Sequence, residues 1–141
     1  MLTKLDFYVI FNIIMVNYNR IIEICYALKD KGSTGRCFHT SIIINKSKIL
    51  SIGINNYNKT HPKLKEFGYN PLSKLHSEMA ACLRLGLTDC SNLTIVNIRI
   101  NRNNKLDNSK FCSGCQNLIK QLNFSKAFYT NKIGNFEKLT I

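Results

Sequence analysis

The chain predicts an α/β layered domain with a mixed, partly parallel sheet, and three observations carry that expectation. Two β-branched runs, CFHTSIIIN (37–45) and KILSIGI (48–54), stand two residues apart. Two later segments with apolar residues at helical spacing each lie between strand-like runs, so each reads as a crossover. The order helix, strand, strand, helix, strand, helix, strand is that of a layered unit whose crossovers make some neighbouring strands parallel.

From Tyr18 to Lys31, Ile21, Ile22, Cys25 and Leu28 recur at helical spacing, and Gly32 is placed to stop that helix. The two β-branched runs, divided by Lys46 and Ser47, read as an antiparallel hairpin. The polar segment NNYNKTHPKLKEFGYNPLSK (55–74) is long for a connection, which favours a functional covering loop. LHSEMAACLRLG then sets Leu75, Met79, Cys82 and Leu83 on one face and stops at Gly86. LTIVNIRI (93–100) alternates as a strand does, and NRNNKLDN turns the chain. SKFCSGCQNLI (109–119) opens the next helix, with Cys115, Leu118, Ile119 and Leu122 along one stripe, and KAFYT (126–130) is the last predicted strand.

At 141 residues with 45% hydrophobic content, the chain reads as one domain with a real core, not as a disordered segment. FYVIFNIIMV (7–16) is far shorter than the ~20 apolar residues a membrane span needs. No small-residue cleavage site follows it, so residues 1–17 read as an apolar extension or arm before a domain at 18–141, and Met15 offers an alternative start. Six unevenly spaced cysteines (25, 37, 82, 90, 112, 115) suit a reduced, cytoplasmic protein better than a disulfide framework. The net charge of +12 attracts phosphates, on nucleotides or on nucleic acid. The lysines are scattered without a run of four, however, and the Asn-, Ile- and Lys-rich composition suits an AT-rich genome, so much of that charge reads as solvated surface.

The chemistry concentrates in four residues. His76 and Glu78 begin one crossover helix, and Cys112 and Cys115 begin the next. Helices that start side by side at one sheet edge would bring the imidazole and both sulfurs together, and a helix N-terminus favours thiolate. A His/Cys/Cys set leaves one zinc position open, as a catalytic site requires. A carboxylate beside that position can take a proton from water and return it to a leaving group. As a redox or structural pair, C-x-x-C alone would leave His76 and Glu78 unexplained; Cys37, His39, His61, Cys82 and Cys90 are the available fourth ligands of a structural site.

H-x-E followed by C-x-x-C is the signature of zinc-dependent nucleobase deaminases. On LHSEMAACL and SKFCSGCQNLI, preceded by SIGINNY, the segment from about Ile21 to Phe136 resembles the cytidine and deoxycytidylate deaminase superfamily. The resemblance implies a three-layer domain, with helices on both faces of a mixed central sheet. It also implies zinc held by His76, Cys112 and Cys115, Glu78 as proton shuttle, and Asn55, in the Gly-x-Asn after a strand, as a contact for the substrate's sugar. The implied reaction is hydrolytic deamination of a cytosine-type nucleotide or nucleoside, CMP or dCMP favoured, by a protein that forms homo-oligomers. Two departures stand out: Phe111 replaces the usual proline before the first cysteine and could narrow the base pocket, and Ser77 replaces a common alanine.

The rivals are a deaminase of RNA or single-stranded DNA and a catalytically inactive zinc protein of the same fold. No Arg-rich or aromatic-interleaved stretch favours the former, and intact Glu78 weighs against the latter. Cys25 and Cys82 read as buried small hydrophobes, and His39 as a structural strand residue. His61 is a lesser candidate for substrate contact, while Tyr57, Phe67 and Tyr69 would either stack on a base or pack the loop.

Overall fold

The structure is a computed structural model and describes residues 19–30 and 38–141. The arm at 1–17 and the predicted helix stop at Gly32 lie outside the described residues. The chain forms two compact units, Met1–Ser33 and Thr34–Ile141. Of the first, helix α1 spans 19–30, with Ile21 and Cys25 buried one turn apart.

The second unit is built on one six-stranded mixed sheet. Strands β1 (Phe38–Asn45) and β2 (Lys48–Ile54) form the expected antiparallel hairpin, with a register shift between Ile43 and Ile44. Helix α2 (Ser77–Leu85) leads to β3 (Thr94–Ile100), which pairs with β1 antiparallel. The two-residue strand β4 (Leu106–Asp107) folds back on the end of β3. Helix α3 (Ser113–Gln121) then crosses to β5 (Lys126–Thr130), parallel to β3, and β6 (Phe136–Lys138) closes the order β2-β1-β3-β5-β6. The expected α/β class with a partly parallel sheet is therefore the fold adopted, and its strand order places the candidate site residues. Because β2 and β3 are both antiparallel to β1, they run in the same direction as each other and as β5. The helices that follow β2 and β3 consequently begin at the same sheet edge, beyond the carboxyl ends of those strands.

The core between the sheet and helices α2 and α3 is made by Ile43, Ile95 and Ala127 from the strands and by Met79, Cys82, Cys115, Leu118 and Ile119 from the helices. Ile42, Ile44, Val96 and Ile98, which alternate with those strand residues, are buried as well. Gly53 sets how closely α2 lies on β2, since a Cβ there would fall 2.2 Å from the Ser77 carbonyl oxygen and 2.3 Å from the Ala81 nitrogen. Gly86 ends α2 in the left-handed region at φ 93°, where only glycine is unstrained. The covering loop contains a 3-10 helix, Pro62–Phe67, which sequence periodicity did not reveal; Leu64 and Phe67 anchor it in the core. Among the described residues, no helix is long and apolar enough to cross a membrane.

Candidate metal centre

His76 is the N-cap residue of α2, with extended backbone and no capping bond from its side chain, so the imidazole is available for other partners. Cys112 is the N-cap residue of α3, and its sulfur accepts from the Cys115 backbone N–H at 3.4 Å. Cys115 follows in the first turn and is fully buried. His76 Nδ1 lies 3.5 Å from each of the two sulfurs, and the three ligand atoms all fall within 4.8 Å of one another. A tetrahedral zinc with sulfurs at ~2.3 Å and nitrogen at ~2.0–2.1 Å separates S from N by about 3.6 Å. The observed spacing and the donor set therefore fit zinc. Among the described residues no fourth His, Cys, Asp or Glu joins the group. His39, His61, Cys82 and Cys90 stay outside it, while Cys37 lies outside the described residues.

The three side chains differ in their electrostatics. A hydrogen bond from Cys115 is the first cause that pulls the Cys112 thiol down to about 4, and His76 reinforces it. His76 is raised from its ordinary value, chiefly by its hydrogen bond to Cys112. Burial pushes Cys115 well up, so its proton stays on sulfur until a metal displaces it. Glu78 Oε2, 3.1 Å from Cys115 Sγ, is a second acceptor within reach of that proton. Cys115 Sγ is also 2.8 Å from the Tyr69 hydroxyl. Burial also holds the Tyr69 phenol far above the usual range, so it remains a donor.

Glu78 sits in the first turn of α2, fully buried, with its carboxyl raised by desolvation. Its Oε1 accepts from Asn97 Nδ2, whose second proton goes to the Ser109 carbonyl at 2.8 Å. Asn97 Oδ1 accepts from Ser41 Oγ at 3.0 Å and lies 3.3 Å from Ser77 Oγ. The two hydroxyls are themselves 2.7 Å apart. Every polar atom of this buried amide is thus engaged, and its orientation follows from its partners. Sequence reasoning passed over Asn97. The available signal was an Asn inside the β-branched run TIVNIRI, where strand propensity disfavours it.

A cavity of about 220 Å³ opens on the centre, lined by His39, Asn55, Tyr57, Lys74, Leu75, His76, Ser77, Glu78, Asn97, Lys110 and Cys112. Asn55 Oδ1 accepts from the His39 backbone N–H at 3.0 Å, which ties the two strands of the hairpin together at the cavity wall. His39, read as a structural strand residue, also lines this cavity, and burial, with Arg99 and His76 nearby, lowers its imidazole to about 4. His61 caps the 3-10 helix by accepting from Lys63 N at 3.1 Å and does not line the cavity. Of the three loop aromatics Tyr57 alone lines it, whereas Phe67 and Tyr69 are core residues.

Phe111 does not narrow the cavity. Its ring is buried edge-on against Tyr129 at 6.1 Å, and its carbonyl accepts from Gln116 Nε2 at 2.9 Å. That side-chain bond fastens the backbone just before Cys112, where a proline would restrict it covalently. Ser77, the other departure, is buried and engaged with Ser41 and Asn97. Among the described residues none of the five cysteines is in a disulfide.

No protein-family model matches the chain, and no curated protein matches it. Among solved structures, the dCMP deaminase of the cyanophage S-TIM5 in apo form is similar with a TM-score of 0.47 and 19% identity, covering 80% of this chain and 84% of that one.

Proposed function

We propose that the protein is a zinc-dependent hydrolytic deaminase of a cytosine-type nucleotide or nucleoside, with CMP or dCMP favoured. One observation carries the reading: His76 Nδ1 and the sulfurs of Cys112 and Cys115 converge beside a buried carboxyl, Glu78, on the wall of a cavity. His76, Cys112 and Cys115 would hold the metal. Zinc there supplies Lewis acidity that makes water nucleophilic at neutral pH.

The remaining work falls to the chain's own side chains. Asn97 engages Glu78 Oε1, so Oε2 is the oxygen that takes and returns a proton. Burial raises the carboxyl and lets it hold that proton nearer neutral pH than an exposed glutamate would. The net reaction exchanges the exocyclic amine of the ring for oxygen and releases ammonia. The cavity of about 220 Å³ beside Glu78 would receive the substrate. Asn55 and His39 on its wall are suited to a ribose or deoxyribose, and Lys74 and Lys110 to a phosphate, which is why the nucleotide is favoured.

The test is ammonia release by the zinc-loaded protein from cytidine, CMP, dCMP and a cytosine-containing oligonucleotide. Glu78→Gln should retain zinc and lose at least about 100-fold in kcat. Unchanged turnover in that variant removes the assigned role of Glu78. Activity confined to the oligonucleotide favours a polynucleotide deaminase, and a zinc-loaded wild type inert on all four favours a non-catalytic protein.

A further inference from the structure

The covering loop does more than pack: Tyr69 touches two of the three candidate ligands. Its hydroxyl is 2.8 Å from Cys115 Sγ, and its ring meets the His76 imidazole edge-on, with centroids 5.2 Å apart and planes at 81°. We propose that Tyr69 is a positioning residue of the metal centre, donating a hydrogen bond to the Cys115 sulfur while its ring fixes the plane of His76. The proposal rests on the zinc reading above.

Several features hold the phenol there. Leu64 and Phe67 anchor the 3-10 helix in the core, and Gly68, at φ 78°, donates back to the Leu64 and Lys65 carbonyls. The Tyr69 N–H donates to the Leu64 carbonyl at 3.2 Å, which directs the side chain toward α3. On α3 the ring rests on Gly114, where a Cβ would come within 2.7 Å of Tyr69 Cδ1. A side chain at position 114, between the two sulfurs of C-x-x-C, would therefore displace the Tyr69 ring. Metal-bound Cys115 would carry no proton, so the hydroxyl would still be the donor, now to a buried thiolate. Partners of this kind orient ligands and tune their donor strength; their loss typically lowers metal affinity about 10- to 100-fold.

The test measures zinc affinity by chelator competition in wild type, Tyr69→Phe and Gly114→Ala, with cobalt(II) substituted in parallel. Tyr69→Phe keeps the ring and removes only the hydroxyl. It should weaken zinc about 10- to 100-fold and move the thiolate-to-cobalt charge-transfer band to longer wavelength, because the sulfur lone pair loses a stabilising donor. Gly114→Ala keeps the hydroxyl but pushes the ring away, and should change both readouts in the same direction. Affinity within twofold of wild type and an unmoved band in both variants would overturn the proposal alone. A wild type that binds no zinc would overturn it together with the functional reading, whereas absence of turnover bears only on the latter, since neither readout uses catalysis.

Discussion

Asn97, itself fixed by three other buried polar contacts, holds Glu78 through one hydrogen bond to Oε1, and the proton-carrying role proposed for Oε2 depends on that hold. Asn97→Asp replaces the donor facing Glu78 with a second acceptor of nearly the same shape. It should keep zinc and cost about 100-fold or more in kcat, with a smaller change in KM, because a repelled carboxyl no longer sits where the proton is needed. Steady-state kinetics beside metal analysis checks this, and an unchanged kcat would refute it. Residues at this scale were only partly legible in the sequence. His76, Glu78, Cys112 and Cys115 could be singled out because spacing alone marks them, as H-x-E and C-x-x-C. Asn97, Tyr69 and Lys110 carry no such spacing; their positions depend on strand pairing and on the path of a long loop, which single residues do not encode.

Elements convert those spacings into a site. The start of α2 is held where it is by the absence of a side chain at Gly53, which lets the helix backbone touch β2. Gly53→Ala forces a methyl against two backbone atoms that cannot swing away, so α2 has to shift as a body. We expect a stability loss of about 2–3 kcal/mol in chemical denaturation, with reduced zinc occupancy as His76 moves from the sulfurs. Wild-type stability in that variant would show that α2 is free to adjust. The helices and β1, β2, β3 and β5 were readable because their apolar periods are regular, and Gly86 marks the end of α2. The elements that escaped are short: β4 has two residues, β6 three, and the 3-10 helix six. Over such lengths periodicity carries little information, and pairing with β3 or anchoring by Leu64 and Phe67 decides the conformation.

In the molecule as a whole, His39 links stability to acidity. Its imidazole, lowered to about 4 by burial first and then by Arg99 and His76, is neutral when folded, while in the unfolded chain it titrates near the ordinary value of about 6.5. The unfolded state therefore binds more protons between those values. This contribution is present in full above about pH 6.5 and is lost as pH falls toward 4. Wild type should lose stability in that window with a slope up to about 1 kcal/mol per pH unit steeper than His39→Gln, measured by denaturant titration of both proteins across the range. Parallel slopes would refute the linkage.

The strand directions carry a last consequence. A cation gripped by His76 and Cys112 ties together positions 36 residues apart in the chain, and the unfolded polypeptide has no preformed equivalent of that grip. Any such ion would raise the folding free energy by mass action, more so as its free concentration exceeds the dissociation constant. Metal supply would then govern how long the folded protein persists as well as how fast it works.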